Sequence, residues 1–394
     1  MTTSRRLLPF VAFQGAMSTM IGFATVVVAG QAGTGGALRF TALLLTVTMA
    51  CIVVPFRLAA GRHAPGVAAM VRAGFAVPAL GLPWAAGRPD LLAVVLGAFL
   101  GLTWHARQRL ELGLLADDER DAHAARATVR AVLASLAATT AASLLLSLLR
   151  EAGSDAATVL CRGYALLAAA GAWFAAAPLP ASPPMALHRP LALMRQPAFL
   201  RGLPLYFLES GLLGVGMVLG ATGAVEALGD VGHYGWATSA ATVAGALALH
   251  RLRRHRDTRN RVGWMGAACI GMVAAQMLLG ASVVQPGLYV LHLLVLATVQ
   301  PFWWASEQVL NQRVLDLDGA LADRIAAREV VLWALRMAAL AVFAAGTAGL
   351  SVRTVLVGGS AVVAVALALE WTLGRAWLQA HPGDADQAGA GSRS

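Results

Sequence analysis

The chain contains no lysine: all 30 residues counted as lysine plus arginine are arginine. A glycine-rich phosphate loop closes on a lysine, so direct use of ATP through such a loop is excluded. Charge is scarce too, at 13% of residues against about a quarter in ordinary soluble domains, which excludes a water-soluble fold. Cysteine occurs three times, as Cys51, Cys161 and Cys269, each in or at the end of an apolar run. No two have the spacing of a disulfide or metal set, and they read as packing residues. The nine histidines show no H-E-x-x-H or comparable ligand pattern. Neither a metal nor a cofactor is expected.

What the chain has instead is apolar length. Hydrophobic residues make up 58% of it, and runs of roughly 20 residues, enough to cross a bilayer, can be placed about twelve times. Six fall at 7–30, 37–56, 66–86, 91–111, 128–149 and 157–177. A proline-rich stretch, PLPASPPMALHRPLALMRQ, separates them from six more at 199–223, 232–252, 262–284, 288–312, 325–350 and 354–375. The expected fold is an all-α membrane protein of about twelve transmembrane helices in two pseudo-symmetric six-helix bundles. The bundles are 1–177 and 199–376, the cytoplasmic loop between them is 178–198, and 377–394 is a disordered tail. The first run follows Arg5 and Arg6 but has no A-x-A cleavage site, so it reads as a retained helix and not a signal peptide.

Pseudo-symmetry is visible in one repeated stretch. Trp104, Gln108, Leu110, Leu115 and Asp118 match Trp304, Gln308, Leu310, Leu315 and Asp318 at a single offset, and Ala124-Ala125-Arg126 aligns with Ala326-Ala327-Arg328 two positions later. Each copy is an apolar run that turns polar, makes a short charged connection and leaves in a second apolar run. A period near half the chain is too long for a solenoid and suits a two-fold membrane bundle.

Arginine placement sets the orientation. A cytoplasmic amino terminus puts Arg5, Arg6, Arg57, Arg62, Arg120, Arg189, Arg195, the 251–261 cluster, Arg313, Arg324 and Arg375 inside. Only Arg39, Arg88, Arg150, Arg162 and Arg353 lie outside, so both termini are expected in the cytoplasm. Topology thus accounts for the net charge of +10, and no nucleic-acid partner is expected. The lysine-free, alanine-rich composition is that of a GC-rich bacterial genome, which implies the bacterial cytoplasmic (inner) membrane.

Six helices, an inner loop and six like helices resemble the major facilitator superfamily of secondary transporters over essentially the whole length. Arg57, Gly61, Arg62 and His63 stand where that family has its element between helices two and three, although the family's aspartate is missing. The proline-glycine antiporter motif of helix five is missing from AVLASLAATTAASLLLSLL as well. Both departures point away from a conventional drug/proton antiporter. The resemblance implies that helices one and seven are symmetry mates lining a central cavity.

An ionisable side chain inside a spanning helix costs a few kcal/mol and calls for a reason. Glu209 lies well inside the seventh run, and Gln14 at about the same depth of the first. Burial favours a neutral carboxylic acid that can take up a proton and release it when water arrives, as proton coupling requires. The alternative for both is a hydrogen bond to a neighbouring helix. Trp104, Gln108 and Glu111 share one helical face, as do Trp304, Gln308 and Asn311, with Glu307 beside them. These two faces either line the inner half of a polar cavity or mark the membrane interface. Arg336 is too deep to snorkel, and it should pair with a carboxylate such as Glu307, Glu209 or Glu329 or meet an anionic ligand. Loop acids including Asp118, Asp318 and Asp323 are expected to latch the cytoplasmic side against arginines such as Arg126 and Arg328, with Arg130 on the Arg126 face. Glycines 211, 214, 216 and 220 read as sites of close helix packing.

The function expected from these residues and the resemblance is monomeric alternating-access transport of a small polar or anionic organic solute, with proton-coupled export favoured over uptake. The rival is a membrane scaffold, sensor or enzyme that keeps the bundle without transport. An enzyme would require a convergent catalytic cluster at one membrane face, and the sequence offers none.

Overall fold

The computed structural model describes residues 3–59, 65–114, 117–150, 155–182, 185–207, 212–252, 261–314 and 319–380, with only the backbone course given for 3–4, 117–122, 124–125, 150, 252, 261, 304–314, 378 and 380. Among them every regular element is a helix. In order these are α1 (Thr3–Leu58), α2 (Val67–Ala85), α3 (Pro89–Leu114), α4 (Asp117–Arg150), α5 (Ala156–Phe174), α6 (Pro190–Met194) and α7 (Pro197–Tyr206). They continue with α8 (Leu213–Leu228), α9 (Val231–Leu252), α10 (Arg261–Ala281), α11 (Gly287–Val314), α12 (Leu321–Thr347) and α13 (Val352–Ala380).

At 1.5 Å per residue, α1 would extend about 80 Å, far more than the ~30 Å apolar layer of a bilayer. It is broken at Gly33, whose φ of 64° and ψ of −168° no side-chain-bearing residue adopts at low cost. The two arms fold back on one another, as their contacts with α3 show. Gln14 of the first arm reaches Thr103, while Thr48 and Cys51 of the second lie against Gly101, so positions on either side of Gly33 share one level. The two expected crossings on either side of Gly33 are therefore two helical arms joined by a tight hairpin at that glycine.

Eight helices are individually long and apolar enough to cross a membrane, and the α8–α9 pair, bent by 111°, qualifies jointly. Counting α1 twice and adding α8, α9 and α11, whose apolar part is Gly287–Trp303, gives about twelve crossings of a multi-pass membrane protein. Some boundaries differ from the expected ones. The acid-rich stretch starting at Asp117 was expected as loop and is the first turns of α4. Aspartates and a glutamate at a helix amino terminus meet the positive end of the helix dipole, so the helix extends into them. The expected crossing at 199–223 is divided between α7 and α8, and the connecting loop contains the short α6.

The end of the bundle where α1 begins and α13 finishes is here called the terminal end, the opposite one the far end. At the far end the halves touch through small and aromatic residues. Thr34 and Thr222 hydroxyls lie 3.4 Å apart. Trp236 donates its indole N–H to Ser147 at 3.2 Å, and the rings of Phe23 and Tyr234 meet edge to face at 5.6 Å. Gly235 packs so closely on Ser143 and Phe23 that a β-carbon there would collide with both.

Close packing within the first half also depends on glycine. Gly97 and Gly101, four apart on α3, face the second arm of α1, where added β-carbons would stand 2.7 Å from the Leu44 carbonyl oxygen and 2.5 Å from that of Thr48. The helices meet backbone to backbone, the geometry that small residues four apart permit. Of the glycines expected to do this, Gly214 packs against a neighbouring helix and two others do not. Gly216 and Gly220 face open space, Gly214 meets the Leu340 side chain, and Gly211 lies outside the described residues.

Candidate functional site

Buried polar side chains collect on the last turns of α3, a helix otherwise filled by apolar residues. Gln14, 3% exposed, donates from Nε2 to the Thr103 hydroxyl at 3.2 Å and accepts at Oε1 from Arg107 Nη1 at 3.4 Å. Arg107 also donates from Nε to Glu111 Oε1 at 2.8 Å, a pairing set by the four-residue helical spacing. Its guanidinium lies over the Trp104 ring, 5.3 Å from the centroid, an arrangement favourable to a delocalised cation. The same Glu111 oxygen meets His123 Nε2 of α4 at 3.3 Å, and that histidine is 2% exposed. A chain of polar contacts thus links the first arm of α1, α3 and α4 in a region where a lone charge would be costly.

One residue further, the neighbouring face of α3 reaches the second half. Gln108 donates from Nε2 to Glu329 Oε1 of α12 at 3.1 Å, and Arg328 Nη1 donates to the same oxygen at 3.2 Å. Glu329 is 4% exposed. One helical turn deeper the Trp333 indole N–H donates to the Thr46 hydroxyl at 3.1 Å, which itself approaches the Met337 sulfur at 3.7 Å. Across this zone the halves are held by hydrogen bonds between neutral or charge-assisted groups. Such contacts can be exchanged for water when the halves part, at a net cost of about 1 kcal/mol each.

Between the halves runs a strap of chain. Asp323, in the first turn of α12 and 5% exposed, accepts the backbone N–H of His188 at 2.8 Å and of Arg189 at 2.9 Å. Arg109 of α3 donates to the Ser182 carbonyl at 3.4 Å. Met185 and Leu187 complete an apolar cluster with Ile52, Phe56, Ala322, Ile325 and Ala326, to which Trp104 also belongs. The strap therefore attaches to both halves at the terminal end. Asp323→Ala removes both charge-assisted bonds, worth about 1.5–3 kcal/mol each to a charged acceptor. Limited trypsin digestion is expected to cut after the exposed Arg195, since Arg189 precedes a proline that blocks trypsin, at least roughly tenfold faster in that variant, because cleavage follows the population of the detached strap.

The expected site residues divide into three groups. Gln14, Trp104, Gln108 and Glu111 are brought together on or against α3, although only Gln108 among them faces the opposite half by hydrogen bond. Arg126 and Arg130 are exposed on α4, Arg336 is half-buried on α12, and Arg328 turns to Glu329. Asp323, expected to pair with an arginine, is used by the backbone of the strap. Glu209 and Asp318 lie outside the described residues, and so do the side chains of Asp118, Trp304, Glu307, Gln308 and Asn311. Sequence reasoning missed His123, Thr46 and Trp333. A histidine among alanines at the start of a helix was the available sign for the first. The other two look like ordinary membrane residues.

His105 belongs to the scaffold. It is wholly buried, its Nδ1 lies 2.7 Å from the Ile52 carbonyl, to which it must donate, and its ring lies on Phe56 at 4.1 Å between centroids. Among the described residues no group of three or more histidine, cysteine, aspartate or glutamate side chains could hold a metal ion.

A two-bundle assembly of about twelve helices, with a strap between the halves and a polar contact zone across them, has the fold of the major facilitator superfamily. No family profile matches the chain, and no curated protein matches it by sequence. Solved structures do. The nucleoside transporter NupG is 13% identical with a TM-score of 0.61, the match covering 95% of this chain and 99% of that one. The proton:xylose symporter XylE is 13% identical with a TM-score of 0.61 over 97% of each chain. The human organic anion transporter MFSD10 is 15% identical with a TM-score of 0.59, over 95% of this chain and 100% of that one.

Proposed function

We propose that this chain is a secondary active transporter. It moves a small polar or anionic organic solute by alternating access, as a monomer in a bacterial cytoplasmic membrane with both termini inside. The observation that carries the reading is the buried zone between α3 and α12, where Gln108 bonds Glu329 across the halves while Arg107, Glu111 and Gln14 lie next to it. Rocking of one bundle, 1–177, against the other, 199–376, needs an interface whose contacts exchange with water, and this one carries hydrogen bonds beside its apolar contacts. Similar structures belong to proteins named for moving nucleosides, organic anions and xylose. Solutes so unlike one another support transport while leaving the substrate to the site. Arg107 and Arg336 favour a solute with carboxylate or comparable oxygens, which match a guanidinium fork.

Protons are the proposed coupling ion and export the proposed direction. Glu209 is the proposed carrier. Arg126, Arg130 and Arg328, with Asp118 and Asp318, form the proposed gate at the cytoplasmic side. Trp304, Glu307, Gln308 and Asn311 are assigned to the cavity as counterparts of the α3 residues. In proteoliposomes holding wild-type protein, carboxylate solutes are expected to drive a change in lumenal pH that Glu209→Gln abolishes. Proton flux that survives Glu209→Gln would move the carrier elsewhere. Absence of both flux and labelled-solute uptake across carboxylate, sugar, nucleoside and hydrophobic-cation panels would leave the scaffold reading.

A further inference from the structure

The two halves also meet along α4 and α9, and this seam is not uniform. Toward the far end it is sealed, by Trp236 on Ser147 and by Gly235 against Ser143. Toward the terminal end a crevice of about 110 Å³ opens between the same helices, lined by Val129, Val132, Leu133, Ala246, Leu249 and His250. Both walls change character in the same order. On α4, Leu133 lies deepest, and the exposed Arg130 and Arg126 follow at spacings of three and four on its face, nearer the helix start. On α9, Ala246 and Leu249 come first, then the exposed His250 and Arg251 in the last turn.

We infer that this crevice is a binding site for one anionic phospholipid. Its phosphate-bearing head lies against Arg130, Arg251 and His250, and part of an acyl chain lies between Val129, Leu133, Ala246 and Leu249. The argument is one of complementarity in depth. Apolar walls below and donors above repeat the profile of an amphiphile standing in one leaflet, and two guanidinium groups select a negative head over a zwitterionic one. A small anion would use only the rim and leave the apolar floor uncovered. A lipid there would occupy the seam along which the halves move, whatever the transported solute.

The test is native mass spectrometry of delipidated protein titrated with phosphatidylglycerol or phosphatidylcholine of the same chain length. The first phosphatidylglycerol is expected to bind roughly tenfold more tightly than the first phosphatidylcholine, a ratio in keeping with basic residues at an anionic surface. Arg130→Gln with Arg251→Gln, both on exposed positions, should bring the ratio near one. Ala246→Trp keeps every charge and fills the crevice, and it should do the same. Equal affinity of the two lipids for wild type overturns the proposal. So does a tenfold ratio that persists in Ala246→Trp, because the arginines of the 251–261 stretch would then be attracting anionic lipid without a site. If Ala246→Trp does not fold, the double glutamine variant decides alone.

Discussion

Arg107→Leu is expected to lower transport about a hundredfold and to destabilise the protein, whereas Arg107→Leu with Glu111→Leu recovers the stability and not the transport. Arg107 holds three partners at once, the Glu111 carboxylate, the Gln14 amide and the Trp104 ring. Its side chain is 20% exposed and that of Glu111 13%, so solvent cannot replace the cation when it is removed. Breaking a buried pair by deleting one partner costs about 3–5 kcal/mol, while replacing both by apolar residues is often neutral. The pattern over the two variants therefore separates roles. Thermal unfolding in detergent should show a large fall for the single variant and near-recovery for the double. Solute uptake should stay low in both if the guanidinium meets the solute or the moving interface, since a hundredfold corresponds to about 2.7 kcal/mol of lost stabilisation. Uptake that returns with stability would make the pair structural only.

The second large effect is steric, and it has a control of opposite sign. Gly101→Ala places a β-carbon 2.5 Å from both the Thr48 carbonyl oxygen and the Cys51 β-carbon. The obstruction is backbone of a neighbouring helix, which cannot rotate away. Overpacking of this kind costs about 1–3 kcal/mol, and Gly101→Leu, with more atoms to place, is expected to yield no folded protein. Gly220→Ala meets open space and removes a glycine from the interior of α8, so it is expected to stabilise by up to about 1 kcal/mol. Unfolding midpoints should fall for Gly101→Ala and rise or hold for Gly220→Ala. Equal shifts would mean that α1 and α3 do not approach as closely as described.

Glycine illustrates where reading a sequence stops. Four glycines in the seventh run have the spacing of a packing motif, and so do Gly97 and Gly101. Among the described ones, only the latter pair faces another backbone. Spacing specifies that two residues share a face, and the rotation of that face toward a neighbour comes from the packing of whole helices. The polar residues follow the same rule. Trp104, Gln108 and Glu111 were legible as a group because helical periodicity places them together. Their separate destinations were not: Gln108 bonds across to Glu329 while Glu111 turns to Arg107 and His123. Asp323 was legible as an inner-loop acid but not as the anchor of a strap, because its partners are backbone N–H groups more than a hundred residues away. Backbone donors carry no residue identity, so no pattern of side chains announces them.

The sequence by itself determined that the chain is helical, crosses a membrane about twelve times and repeats one design in two halves. Those properties follow from apolar run length and from the requirement that backbone groups in lipid be satisfied within the helix, both local matters. Tertiary structure alone decided that α1 bends back at Gly33, that α3 joins the two halves through Gln108, and that α4 and α9 part toward the terminal end. Each depends on which face of one helix meets which face of another. That choice is made by the summed fit of many side chains distant in sequence, a quantity no single stretch contains.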